Sequence, residues 1–352
     1  MKGQRRKNII RTAAFVLALT AALWLLCIPF GVDTPMSKRI VQGVLSQPED
    51  TLQAVYIGNS GVYRFWQPAA AWDCEGIAVM NLATASMPGA ATQYLMEETL
   101  KTQDVDMFVV DLRAYTDSEL NEANLHNIID YMPLDLTRLR LVTRLCAYQR
   151  YWPYEALEYY FPVLRFHARW SELEKEDFLP AEDDGTKCSY YTSSFLNNVQ
   201  DEQDYFAVSD VRTEPQKRAV RAFEQLMDYC EENDITVLFV AAPLLAHVNQ
   251  KERLNWFADM ARERGFGVVN FNERAVYDDV GLTLSDFMDN THTNIYGSIK
   301  FTRWLAAYLA DHYALDDRRG VPGYEDWDAA VDIYREKIGD KAAAALDAAA
   351  GR

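Results

Sequence analysis

The sequence predicts an α/β protein: a three-layer parallel sheet with helices on both faces, carrying a helical insertion and preceded by one transmembrane helix. Three observations predict it. Short runs rich in apolar, β-branched and aromatic residues recur at 54–58, 77–82, 107–112, 236–242 and 267–271. Stretches with helical character separate them, and strands that are apolar on both sides belong under helices. Residues 12–30 are apolar and uncharged, and at about 1.5 Å per residue they reach across roughly 30 Å of hydrocarbon.

Taken in order, the chain opens with a basic segment, 1–11, containing Lys2, Arg5, Arg6, Lys7 and Arg11. Positive charge ahead of an apolar run keeps that end cytoplasmic and sends the remainder outward. This makes the protein a single-pass protein of the cell membrane with its main domain extracytoplasmic. A cleaved signal peptide is the competing reading. No small-x-small site follows the run, and Cys27 is preceded by Leu25 and Leu26 where a lipoprotein signal wants a small residue, so an uncleaved anchor is favoured. Residues 31–50 form a juxtamembrane segment whose stretch 35–45 has helical character.

The α/β domain then spans 51–315. Its second strand is followed by a small-residue turn at 83–89 and a helix to about residue 101; amphipathic helices are expected at 215–233 and 252–264. Residues 116–210 break the alternation and read as an insertion, helical from 118 to 177 and loop-like from 187 to 210. Aromatic residues crowd its middle, among them Tyr148, Trp152, Tyr159, Phe166 and Trp170. Such rings either pack the insertion onto the sheet or form a lid over a sugar or acyl chain. The tail, 316–352, is acidic and aromatic at 322–332 and Ala-rich at 340–350, where high helix propensity comes with little to bury, as in an accessory helix or a frayed end.

The net charge is −17, and no Asp or Glu lies among the first 32 residues, so the rest of the chain is more acidic still. That field argues against nucleic acid as a partner, because phosphate contacts need clustered Lys and Arg. The five cysteines include no CxxC pair and the five histidines no HxxxH, a pattern that implies neither a disulfide framework nor a zinc site. The absence of a Gly-rich phosphate loop argues against a nucleotide cofactor.

Chemistry concentrates at two places. Asp289 stands three residues before His292, just ahead of a helical stretch whose natural N-cap is Asn294. A carboxylate at that spacing can hold one ring nitrogen of the imidazole and leave the other to take a proton from a hydroxyl. The hydroxyl that fits is Ser60, which follows the first strand through Gly58 and Asn59 and so lies at the carboxyl end of a parallel strand, where such sheets place their chemistry. Each residue also has an ordinary structural use, Ser60 as a turn or cap residue and Asp289 as a turn former. His247, after the fourth strand, is a rival base without an Asp three positions before it. His126, His167 and His312 read as structural.

Gly58-Asn59-Ser60 after the first strand, a turn after the second, and Asp289-x-x-His292 before the last helix resemble the SGNH/GDSL hydrolase superfamily over about 50–112 and 215–312. With its anchor and insertion the chain is similar to the cell-surface branch that includes the D-alanyl-transfer protein of teichoic acids and the polysaccharide O-acetyltransferases. The resemblance implies a flavodoxin-like three-layer fold and no cofactor. It implies Ser60 as nucleophile, His292 as general base and acid, and Asp289 as the residue that orients it. It further implies an oxyanion hole from the Ser60 backbone N–H, an N–H in the second turn at Ser86 or Gly89, and a donor after the third strand. There the chain departs from the family: Arg113-Ala114-Tyr115 stands in place of Gly-x-Asn-Asp, leaving Arg113 as the available donor, and Asn59 replaces the family's Asp. The implied function is an esterase or O-acyltransferase acting on an acylated small molecule or a cell-envelope polysaccharide, with a multispanning acyl-exporting membrane protein as partner when the acceptor is a sugar. A catalytically impaired surface module, for glycan binding or envelope-complex assembly, is the alternative that the altered third motif leaves open.

Overall fold

The computed structural model describes residues 2–116, 122–149, 153–181, 184–189, 208–245 and 248–349. An N-terminal helix α1 (Lys2–Cys27) is followed by α2 (Pro35–Leu45), β1 (Ala54–Gly58), α3 (Ser60–Tyr63), α4 (Pro68–Glu75) and β2 (Val79–Ala83). Next come α5 (Thr92–Thr99), β3 (Met107–Asp111) and the insertion helices α6 (Glu122–Ile129), α7 (Leu136–Gln149), α8 (Pro153–Tyr160) and α9 (Val163–Phe166). The chain returns to the sheet through α10 (Lys217–Glu232), β4 (Val237–Ala241), α11 (Val248–Glu263) and β5 (Gly267–Asn270). It closes with α12 (Arg274–Val280), the short strands β6 (Phe287–Asp289) and β7 (His292–Thr293), α13 (Ile295–Tyr313) and α14 (Glu325–Ala349).

The five long strands form one parallel sheet in the order β2-β1-β3-β4-β5. Every residue of β1, β2, β3 and β4 is buried, as uninterrupted apolar strands require when both faces are covered. Right-handed crossovers put the β1–β2 connection on one face and the later connections on the other. Consistently, α4 packs with α13 and α14, while α5 packs with α10 and α11 lies against β4 and β5. The order reverses direction between β1 and β3, and at their carboxyl ends the two connections leave toward opposite faces, opening a crevice.

Helix α1 is long and apolar enough to cross a membrane, and it includes the basic residues that the sequence set apart as a separate segment. The insertion is helical where it is described, and it packs against α1, α2 and α5. His126 is fully buried there, bonded to Asp130 at 3.0 Å and stacked on the Tyr159 ring with centroids 4.6 Å apart. The Tyr159 and Phe166 rings pack on His126, whereas Trp170 is exposed; the loop expected at 187–210 falls mostly outside the described residues, as does Trp152.

The tail corrects the expectation of a helix with little to bury. Trp327, Tyr334, Ile338, Ala342 and Leu346 are buried along one side of α14, which breaks only at Gly339. Trp327 stacks on Trp72 of α4 with centroids 5.3 Å apart, Trp72 Nε1 donates to Asp328 at 2.8 Å, and Arg335 pairs with Asp73 at 2.7 Å. Removing a fully buried indole leaves a cavity that the surroundings fill only in part. Trp327→Ala is therefore expected to cost about 3–5 kcal/mol, read as a lower denaturation midpoint; an unchanged midpoint would mean that α14 is not part of the core.

Candidate active site

Ser60 owes its position to the way β1 ends. Asn59 leaves the strand with extended backbone and caps α3, its side-chain oxygen accepting from Gly61 N at 2.9 Å. That makes Ser60 the first helical residue, whose N–H has no intrahelical acceptor to meet. The turn presses against the end of β3: a Cβ on Gly61 would stand 2.4 Å from Asp111 Oδ2 and 3.0 Å from Arg113 Nη1. Only glycine fits so close an approach. Asp111 in turn accepts from Arg113 N at 3.0 Å and starts the 3-10 turn Leu112–Tyr115.

The acid and the imidazole lie on a small antiparallel hairpin, β6–β7, in which Asp289 pairs directly with His292. Asn290 and Thr291 make the tip. Asp289 Oδ1 accepts from Thr291 N and from Thr291 Oγ1, each at 2.8 Å, a side-chain turn that fixes the carboxylate. Three contacts tie the hairpin to the sheet end: Leu245 N donates to Asn290 O at 3.0 Å, Arg113 Nη1 to Thr291 O at 2.9 Å, and Thr293 Oγ1 to Arg64 O at 2.8 Å. Asn294 then caps α13, accepting from Tyr296 N and Gly297 N.

The two pieces meet. His292 Nδ1 lies 3.0 and 3.1 Å from the Asp289 oxygens, and His292 Nε2 lies 2.8 Å from Ser60 Oγ. With the Nδ1 proton held by the carboxylate, Nε2 presents its lone pair to the Ser60 hydroxyl. All three residues are partly exposed, so a solute can reach them. Burial pushes the Asp289 carboxyl up, but the hydrogen bond from His292, that ring's charge and the two Thr291 donors outweigh it and hold the group well below the usual carboxylate range. Burial pushes the His292 imidazole down, and the Arg113 and Arg64 guanidiniums push it further; Asp289 opposes them without cancelling the effect. At neutral pH the pair is thus a carboxylate and a neutral imidazole.

Of the residues proposed for an oxyanion hole, Ser60 and Arg113 lie at the crevice. Arg113 is buried, and its Nε has no hydrogen-bond acceptor among the described residues. Ser86 is an exposed turn residue with φ at +50°, in the left-handed region; nothing in its surroundings ties it to Ser60. Gly89 is a packing glycine, where a Cβ would stand 2.4 Å from the Tyr115 ring. His167 and His312 bond to carbonyls of their own turns, at Leu164 and Tyr308. His247 lies outside the described residues. Arg64 and Thr291 were missed from sequence. Arg64 lies four residues after Ser60, hence on the same side of a helical turn, and Asp-x-Thr is a side-chain turn pattern. Among the described residues no group of His, Cys, Asp and Glu could hold a metal ion. A cavity of about 960 Å³ lies elsewhere, between the end of α1, α2 and the insertion.

Comparison with protein-family models finds none that matches this chain, and no curated protein matches it. The geometry also yields a prediction that needs no substrate. Because the Arg113 guanidinium holds the imidazole down, Arg113→Gln should raise the His292 pKa, followed by NMR of the imidazole nitrogens; a pKa that stays put or falls would remove Arg113 from the electrostatics of the site.

Proposed function

We propose that the chain is a serine esterase or O-acyltransferase of the SGNH/GDSL type, tethered by α1 with its main domain outside the cytoplasm. The observation that carries the reading is the unbroken relay from Asp289 through His292 to Ser60, set at the carboxyl ends of β1 and β3. Ser60 Oγ bonds to the carbonyl carbon of an acyl ester as its proton passes to His292 Nε2. The negative oxygen of the tetrahedral intermediate is met by the Ser60 N–H at the start of α3 and by the positive charge of Arg113, whose guanidinium packs beside the turn. Donors aimed at that oxygen typically contribute two or three orders of magnitude each, and a guanidinium takes the place of the neutral side-chain donor that the sequence lacks. Collapse expels the alcohol, which takes the proton from Nε2. Water or a sugar hydroxyl then attacks the acyl-enzyme, again losing its proton to Nε2, and Ser60 is released with that proton.

The substrate class is an acylated small molecule or an acylated cell-envelope polysaccharide, and transfer to a sugar calls for a multispanning partner that delivers the acyl group. Support for this part is the anchor and the resemblance in motif order, by analogy. A non-catalytic module has no comparable support: a capped Ser, an aligned imidazole and a carboxylate held by two Thr291 donors serve no evident packing purpose.

A fluorophosphonate probe should label the wild type and not Ser60→Ala, and hydrolysis of a simple aryl acetate should fall roughly ten-thousandfold or more in that variant. Equal labelling of the variant would end the proposal. The neutral imidazole is the active form, so activity is lost as pH falls through the His292 pKa. Since that pKa is lowered, the acid-side midpoint of kcat/KM should lie below the ordinary imidazole value of about 6.5; a midpoint above it would contradict the assignment of His292 as base.

A further inference from the structure

We infer that the insertion forms a collar that seats in the surface of the lipid bilayer around the point where α1 leaves it. This rests on the reading of α1 as a membrane anchor and adds a second membrane contact to it.

The large apolar side chains that the described domain leaves exposed are not scattered. Apart from Leu100, Val208, Val211 and Val248, those beyond α1 and the adjoining Ile28 all fall between Leu134 and Leu179. Trp170 is 73% exposed, Leu136 77% and Phe178 56%; together with Leu164 and Leu179 they leave more apolar surface in water than singly placed residues do.

Most of this surface is attached to the end of the anchor. Leu134, Phe178 and Leu179 line one cavity with Ile28 and Pro29. Helix α9, which carries Leu164, packs against α1, and Cys27 at the end of α1 is buried. Trp170 follows Arg169, whose guanidinium donates to Gly31 O at 2.5 Å and stands 3.6 Å from Asp33. Trp24, within α1, shares a small pocket with Leu134, Leu139 and Tyr160. The collar is thus fixed to the anchor at the level where the chain crosses the water boundary.

The residue types argue for the same occupant: Ile28, just past the end of α1, is exposed beside the collar's own exposed Leu134, Phe178 and Leu179, at the depth where a membrane-spanning α1 would leave the hydrocarbon. Trp residues settle at that depth, with the ring among the chain tops and the N–H in the headgroups.

The test uses the full chain in phosphatidylcholine vesicles whose lipid is brominated either near the top of its acyl chains or near their ends. The emission lost in Trp170→Phe reports Trp170, and that lost in Trp24→Phe reports the anchor. Emission from Trp170 is expected to be quenched strongly by the shallow bromines and weakly by the deep ones. As a second reporter, Phe178→Trp in the Trp170→Phe chain should regain emission that shallow bromines quench. If Trp24 is quenched while neither Trp170 nor the indole introduced by Phe178→Trp is, whether water, a second copy or another protein covers the collar, the inference is overturned and the anchor stands. If Trp24 is not quenched by either lipid, the anchor reading fails, and this inference with it.

Discussion

A single hydrogen bond, 2.8 Å from His292 Nε2 to Ser60 Oγ across 232 positions of sequence, is the contact that the rest of the domain is arranged to permit. Neither partner is placed by its own neighbourhood alone. Ser60 is delivered by β1, an interior strand next to the point where the strand order reverses, and its turn is wedged against Asp111 at the end of β3. His292 is delivered by a hairpin too short to stand by itself, held by Leu245 after β4, Arg113 after β3 and Arg64 beside Ser60. Three strands of the sheet therefore contribute to one bond. This is how a rigid parallel sheet sets an angstrom-scale geometry from residues that are distant in the chain.

Arg113 links these roles. Its backbone N–H closes the turn after β3, one guanidinium nitrogen supports the tip of the hairpin, and its charge lowers the proton affinity of the imidazole. A neutral amide in that position would supply a donor without the charge. The exchange favours an imidazole that stays neutral in mildly acidic surroundings, at the cost of burying a cation.

The sheet was legible because a strand covered on both faces has little choice but to be apolar throughout, and runs such as Met107–Asp111 announce themselves. Ser60, Asp289 and His292 were legible because local spacing and strand-end position both constrain them. The β6–β7 hairpin was not: a three-residue strand against a two-residue one carries no periodicity, and its order comes from contacts to remote backbone. Helix α14 was misjudged for another reason. Its apolar positions do recur at helical spacing, Trp327, Ala330, Tyr334, Ile338, Ala342 and Leu346, but two of them are alanines, and small residues bury without raising the apparent hydrophobicity of a segment. Whether Ser86 or Gly89 could aim a backbone N–H at the site was not legible from sequence, since that direction depends on dihedral angles that composition does not reveal.

The packing of α14 on α4 has a consequence for biogenesis. Helix α4 closely follows the Ser60 turn, yet its outer face stays bare until Tyr324, Trp327 and Arg335 arrive, far along the chain. Synthesis proceeds from the amino end, so the segment bearing Ser60 emerges long before its cover does. A growing chain must pass through a state with Trp72 uncovered, and a message truncated before Tyr324 would leave it there permanently, a target for chaperones and proteases rather than a complete domain.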